Sequence, residues 1–224
     1  MVKRILFIFI LLVSTFSFSQ LSKNHYIPPI SSGPSNADPL DQLMYISTPS
    51  QGDVNFTINI VGGNSISGTV SNATPYVYGI ADSGYSSFVQ DPATTSRVTS
   101  DKGYIINADS PIYVSIRLNA GNNAQAGALV SKGENALGTT FRVGTYDNQG
   151  SPGSNYLNFF SFMATEDNTT VNLTNERVTS GLQIQNAGAQ QFPINNISLN
   201  RGQTYVVAVK PEDTNENRAG LIGT

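Results

Sequence analysis

Apolar residues recur at every second position in three stretches of this chain. In VNFTINI, Val54, Phe56, Ile58 and Ile60 share one parity; in PIYVSIRL, Ile112, Val114, Ile116 and Leu118 do; in TYVVAV, Tyr205, Val207 and Val209 do. A period of two puts these side chains on one face of a β-strand and the intervening residues on the other. No window of comparable length carries a helical period, so the pattern predicts an all-β protein. Short alternating strands with turn signals between them predict a β-sandwich, and a partial β-propeller is the alternative that would show a similar periodicity.

The strands also recur as a set. YISTPSQGDVNFTINI, Tyr45 to Ile60, matches FMATEDNTTVNL, Phe162 to Leu173, as apolar strand, polar corner and alternating strand. ISGTVSNATPYVYGI, from Ile66, matches INNISLNRGQTYVVAV, from Ile194, each with an Asn-containing turn ahead of a Tyr-led strand. Such self-similarity predicts two related halves. A third element, KGYIINADSPIYVSI, begins at Gly103, and its counterpart at Gly220 runs only to GLIGT, so the second half is expected to be truncated and short of one core strand.

Four segments follow from this reading. Residues 1–19 read as a signal peptide: Lys3 and Arg4 precede the apolar run Ile5 to Val13, too short to span a bilayer, and the small residues Ser17 and Ser19 suit cleavage before Gln20. Residues 20–40 form a proline-rich lead-in, where Pro28, Pro29, Pro34 and Pro39 oppose helix and central strand, so an extended segment along the domain edge is expected. Residues 41–154 make the first β half with a Gly/Asn-rich connector, in which a short helical turn is expected around GALVSKGENALG, and residues 155–224 make the second half.

Composition narrows the partners. Without Lys3 and Arg4, ten basic residues face fifteen acidic ones, a net charge of −5, and no basic stripe is present to hold phosphates, which argues against nucleic acid. The chain has no cysteine, so stability must come from core area, neighbouring domains or a bound ion rather than from disulfides.

The side chains that could carry chemistry are few. The chain's one histidine, His25, stands in the lead-in without the further His or Cys donors zinc requires, and reads as an edge residue beside Tyr26. Glu166 and Asp167 lie side by side in ATEDNTTV; EDNT suits a β-hairpin corner, with a Ca²⁺ role as the sharper alternative. Glu134, Glu166, Asp167, Glu212, Asp213 and Glu216 are the carboxylates a glycosidase could pair. No catalytic or cofactor-binding residue is assigned, and a metal site stays open: hard oxygens in PEDTNEN, Pro211 to Asn217, and in DSGYSSFVQD, Asp82 to Asp91, could hold Ca²⁺ but match no EF-hand spacing. Asn55, Asn72, Asn168, Asn172 and Asn196 head Asn-x-Ser/Thr triplets.

Three segments together, SDKGYIINADSPIYVSIRLNAGNNAQAGALVSKGENALGTTFRVG, NFFSFMATEDNTTVNL and ISLNRGQTYVVAVKPEDTNENRAGLIGT, resemble the family named for the N-terminal domain of IgGFc-binding protein. The likeness is nearest to members at the N-termini of large surface proteins of gliding Bacteroidetes. It implies a non-enzymatic, secreted or cell-surface β-module, taking part in adhesion or interaction with an extracellular protein or glycan and followed by further domains of the same polypeptide. It does not carry antibody binding over to this chain. Two other functions compete: a structural spacer in a long adhesin, and a secreted hydrolase working through two carboxylates. A large exposed aromatic patch would favour binding, an all-polar surface a spacer, and converging buried carboxylates a hydrolase.

Overall fold

The computed structural model describes residues 20–31, 39–120, 125–145, 158–175, 182–187, 192–210 and 220–224. Residues 1–19, where a signal peptide is expected, the 211–219 segment with Glu212, Asp213 and Glu216, and the later part of the connector lie outside the described residues.

The first half contains β1 (Ser22–Ile27), β2 (Ile30–Ser31), β3 (Pro39–Ser47), β4 (Val54–Ile60), β5 (Ser65–Val70), β6 (Tyr76–Ser83), β7 (Val89–Gln90), β8 (Val98–Thr99), β9 (Tyr104–Ala120) and β10 (Gln125–Val130). A 3₁₀ turn, Gly133–Ala136, follows β10. Seven of these strands form one curled antiparallel sheet organised by β9. The N-terminal part of β9 pairs with β1 and β4, and its C-terminal part with β3 and β10. Pro111 lies where the pairing changes hands: β4 contacts end at Ala108 and β3 contacts begin at Tyr113, so the missing N–H costs no ladder bond to either strand.

The two arms, β5-β4-β9-β1 and β6-β3-β9-β10, close on one core. Val54, Phe56 and Ile58 from one arm and Met44, Ile46, Val114 and Ile116 from the other are buried together, the parity that the alternation predicts. The Phe56 and Tyr76 rings meet edge to face at 4.9 Å, and Tyr78 and Tyr104 at 6.4 Å, so aromatic pairs bridge the arms. This is the sandwich arrangement expected from the sequence.

The second half repeats the plan with β11 (Phe159–Met163), β12 (Thr169–Leu173), β13 (Ile194–Leu199) and β14 (Thr204–Ala208). In the first half β3 pairs with β6 and β4 with β5; in the second β11 pairs with β14 and β12 with β13. A second core of Leu173, Ile194, Ile197, Leu199, Tyr205 and Val207 fills the space between them. Pairing also corrects the match between copies by one residue. Ile46 stands opposite Tyr76 and Phe162 opposite Tyr205, all turned inward, so Phe162 corresponds to Ile46 rather than to Tyr45.

Three local expectations change. The Glu166–Asp167 corner does not close a hairpin, because β11 and β12 pair with other strands; it is an arch from one layer to the other. GALV in the connector is strand β10, drawn onto the free edge of β9, and the helical turn is confined to Gly133–Ala136. β8, from the first half in sequence, adds to the second half's sheet through Thr99↔Thr204 and Val98↔Tyr205.

Candidate interaction face

The two arms present opposite kinds of outer surface. On the β5-β4-β9-β1 arm the outward side chains bind one another. Asn107 donates to Asn24 at 2.7 Å, Asn59 to Asn107 at 3.1 Å, and Ser65 to Asn59 at 2.8 Å, while Asn55 donates to Asp109 at 2.8 Å. The ladder continues off the sheet, where Asn24 donates to Glu134 at 2.8 Å. Polar groups satisfied in this way strengthen the sheet and leave few donors and acceptors for a ligand.

The β6-β3-β9-β10 arm is different. Register sets Val77, Tyr45, Ser115 and Val130 in one row across four strands. Tyr113 occupies the neighbouring row on the same parity as Ser115. Val77 is 50 % exposed, Val130 46 % and Tyr113 38 %. Arg117 holds its guanidinium 5.8 Å from the centre of the Tyr45 ring, a cation–π contact within this face. Tyrosine and arginine, the residue types enriched in interface cores, are grouped here on a paired sheet beside exposed valines. The sequence did not disclose this face, because YVYGI is apolar at both parities and only the pairing shows that Tyr76 and Tyr78 point in and Val77 points out.

The residues singled out for chemistry fall elsewhere and apart. His25 lies on β1, an edge strand that among the described residues pairs with β9 alone, as the lead-in reading expects, but its side chain is fully buried. Its Nε2 lies 3.1 Å from Ile112 O and 3.2 Å from Ser22 O; both carbonyls can only accept, so Nε2 carries the hydrogen and Nδ1 accepts from Ser131 Oγ at 2.9 Å. Burial pushes the imidazole below the ordinary histidine range, outweighing the two carbonyls and the Glu134 carboxylate that pull it up. Glu134 itself accepts from Ser22 Oγ at 3.1 Å, and Ser22 Oγ accepts from the Glu134 N–H at 3.2 Å. The cluster therefore pins the lead-in strand to the 3₁₀ turn. The Glu134 carboxylate is engaged by Ser22 and Asn24.

At the other arch, Asp167 Oδ1 accepts from Arg201 N at 3.0 Å and Asn200 Oδ1 accepts from Asn168 N at 3.1 Å, which ties the β11–β12 connection to the β13–β14 turn. Glu166 and Asp167 are exposed, and among the described residues no three His, Cys, Asp or Glu side chains converge on a metal position. In the Asp82–Asp91 loop the oxygens of Gly84, Ser86 and Ser87 accept from Gln42, Lys102 and Gly103. The double change Glu166→Gln and Asp167→Asn, which keeps the Oδ1 acceptor, is expected to alter stability by about 1 kcal/mol or less. Thermal melts with and without Ca²⁺ check this; a large Ca²⁺ gain seen in the wild type and lost in the variant would replace the structural role with an ion site.

All five sequon asparagines, Asn55, Asn72, Asn168, Asn172 and Asn196, are exposed.

A family model described as IgGFc binding protein matches residues 126–224, from β10 through the 3₁₀ turn and the second half. Over that span the chain is similar to the family. No curated protein and no solved structure matches it.

Proposed function

We propose that the chain is a non-enzymatic extracellular interaction module, and that the outer face of the β6-β3-β9-β10 arm contacts a protein partner. The row of Val77, Tyr45 and Val130, flanked by Tyr113 and by Arg117 over the Tyr45 ring, is the observation that carries this reading. Similarity to an IgGFc-binding family supports a binding role for residues 126–224. It does not choose the ligand, since β10 alone of the four strands in this face belongs to the matched span. Export through a leader at residues 1–19, and a place near the N-terminus of a larger adhesive surface protein such as those of gliding Bacteroidetes, belong to the same reading. The self-satisfied polar ladder on the opposite arm favours a second reading, a spacer in which neither face takes a ligand.

The test uses immobilised chain challenged with IgG Fc, a mucin glycoprotein and a glycan array. Retention of one probe is expected, and Val77→Ser with Tyr113→Ser should weaken it about 30-fold without altering the melting point, as removal of interface-core residues does. Unchanged affinity in the double variant would remove this face from the interaction, and no retention of any probe would favour the spacer.

A further inference from the structure

The chain between the two halves leaves β10, passes the 3₁₀ turn and enters LGTTFRVGT, Leu137 to Thr145. Leu137, Gly138, Thr139, Thr140, Phe141 and Arg142 are all exposed and lie in no strand. Phe141, at 62 %, is the most exposed large apolar side chain among the described residues. The segment is anchored only at its ends. Leu137 N donates to Glu134 O at 3.1 Å; Val143 N donates to Thr224 O at 2.8 Å, and Val143 O accepts from Gly223 N at 3.0 Å. Between these anchors, Gly138, Thr139, Thr140 and Phe141 make no hydrogen bond among the described residues. Exposed backbone with few bonds of its own opens at the least cost and is where peptidases reach a folded chain.

The seam between the halves does not depend on that segment. Besides the β8–β14 pairing, Ser96 N donates to Val206 O at 2.8 Å and Ser96 Oγ to Gln185 O at 2.6 Å, while Asn186 Nδ2 donates to Thr95 Oγ1 at 2.8 Å. The Thr99 and Thr204 hydroxyls meet at 2.8 Å. Met163 packs so closely over Gly103 that a Cβ there would stand 2.6 Å from its methyl group. The buried residues of the first core end at Ile116, and those of the second begin at Ala164. A break between Leu137 and Val143 therefore divides no core and removes no strand pair.

We propose that the Phe141–Arg142 bond is a processing site for an endopeptidase with an apolar specificity pocket, and that the cut protein remains one particle of two chains. Such a peptidase holds the residues before the scissile bond as an added strand, through their backbone N–H and C=O groups, and takes the last side chain into its pocket. Thr139 and Phe141 offer those backbone groups unbonded, and Phe141 offers the ring. Water is the co-reactant: the C–N bond between Phe141 and Arg142 breaks, hydroxyl joins the Phe141 carbonyl carbon, and the hydrogen goes to the Arg142 nitrogen. A cut one residue later is disfavoured, because its scissile N–H belongs to Val143 and is held by Thr224 O. All four strands of the candidate interaction face precede the cut, so processing leaves that face whole.

The folded chain is treated with a trace of chymotrypsin, a peptidase with such a pocket. Intact mass should place the first cut after Phe141, and sedimentation of the cut protein should show a single species of unchanged size that separates into two fragments only on denaturation. Phe141→Ser changes an exposed side chain, so it should leave the melting point unaltered and slow the first cut about 100-fold by emptying the pocket. A first cut elsewhere, such as after Tyr85 at 50 % exposure, or an equal rate in the variant, overturns the assignment of the bond. Two separate species in sedimentation overturn the two-chain particle and show that the seam does not hold without the linker.

Discussion

Gly133→Ala is expected to destabilise the protein by about 3 kcal/mol, lowering the melting point by roughly 6–12 °C for a chain of this size. Two costs combine. Gly133 has φ +57°, where an L side chain is disfavoured by about 1 kcal/mol or more. A Cβ there would also stand 2.1 Å from Ser22 Cβ and 3.0 Å from Asn24 O, the second of which is backbone and cannot rotate away. β1 must therefore shift from the 3₁₀ turn, and the hydrogen bonds between Ser22 and Glu134 go with it. Losing polar pairs in a partly buried site adds about 1–3 kcal/mol. Gly84→Ala separates the costs: φ there is +76°, yet nothing lies within 4 Å of the new Cβ. Chemical denaturation of both variants should show a loss about three times larger at Gly133. Equal losses would mean that conformation alone matters and that the lead-in is not held by this contact.

The same contact shows where reading the sequence stops. Val54, Phe56 and Ile58 declare their strand because the polar residues between them leave no other parity, and the recurrence of arch and Tyr-led strand declares the second half. β10 is hidden for the opposite reason. QAGALV has little β-propensity of its own and is a strand because β9 offers an edge to it. β8 is two residues long and has no period at all. The burial of His25 was not legible because flanking prolines mark an edge strand correctly but say nothing of what lies over that edge. Its Nδ1 partner, Ser131, is 106 residues away. A weaker signal was present: Ser22 aside, His25 and Ile27 share a parity, and Ile27 belongs to the core. The exposed row on the β6-β3-β9-β10 arm depends on register across four strands, which no single segment encodes.

Acid should weaken the fold through one residue. His25 is the chain's single histidine, so between about pH 5 and 7 it is the side chain whose ordinary titration range is crossed. Burial disfavours its charged form in the fold, and its pKa there lies below the unfolded value. The unfolded chain then binds the proton first. Stability is complete above the unfolded value of about 6.5 and falls as pH drops below it toward the folded value, where the loss levels off. Geometry explains why the proton is unwelcome: Nδ1 already accepts from Ser131 Oγ, which itself accepts from Gly133 N at 3.2 Å, so a second N–H on the ring forces that hydroxyl to give up its donor role. Glu134 moderates the effect, and Glu134→Gln should deepen the acid loss. His25→Leu should cost about 3 kcal/mol at neutral pH, by leaving Ile112 O, Ser22 O and Ser131 Oγ without the ring. That variant should also melt at one temperature from pH 7.5 to 5.5, while the wild type melts progressively lower. Calorimetry across this window decides the matter. If the wild type and His25→Leu lose stability in parallel as the pH falls, the acid response belongs to other groups and the buried imidazole is not its source.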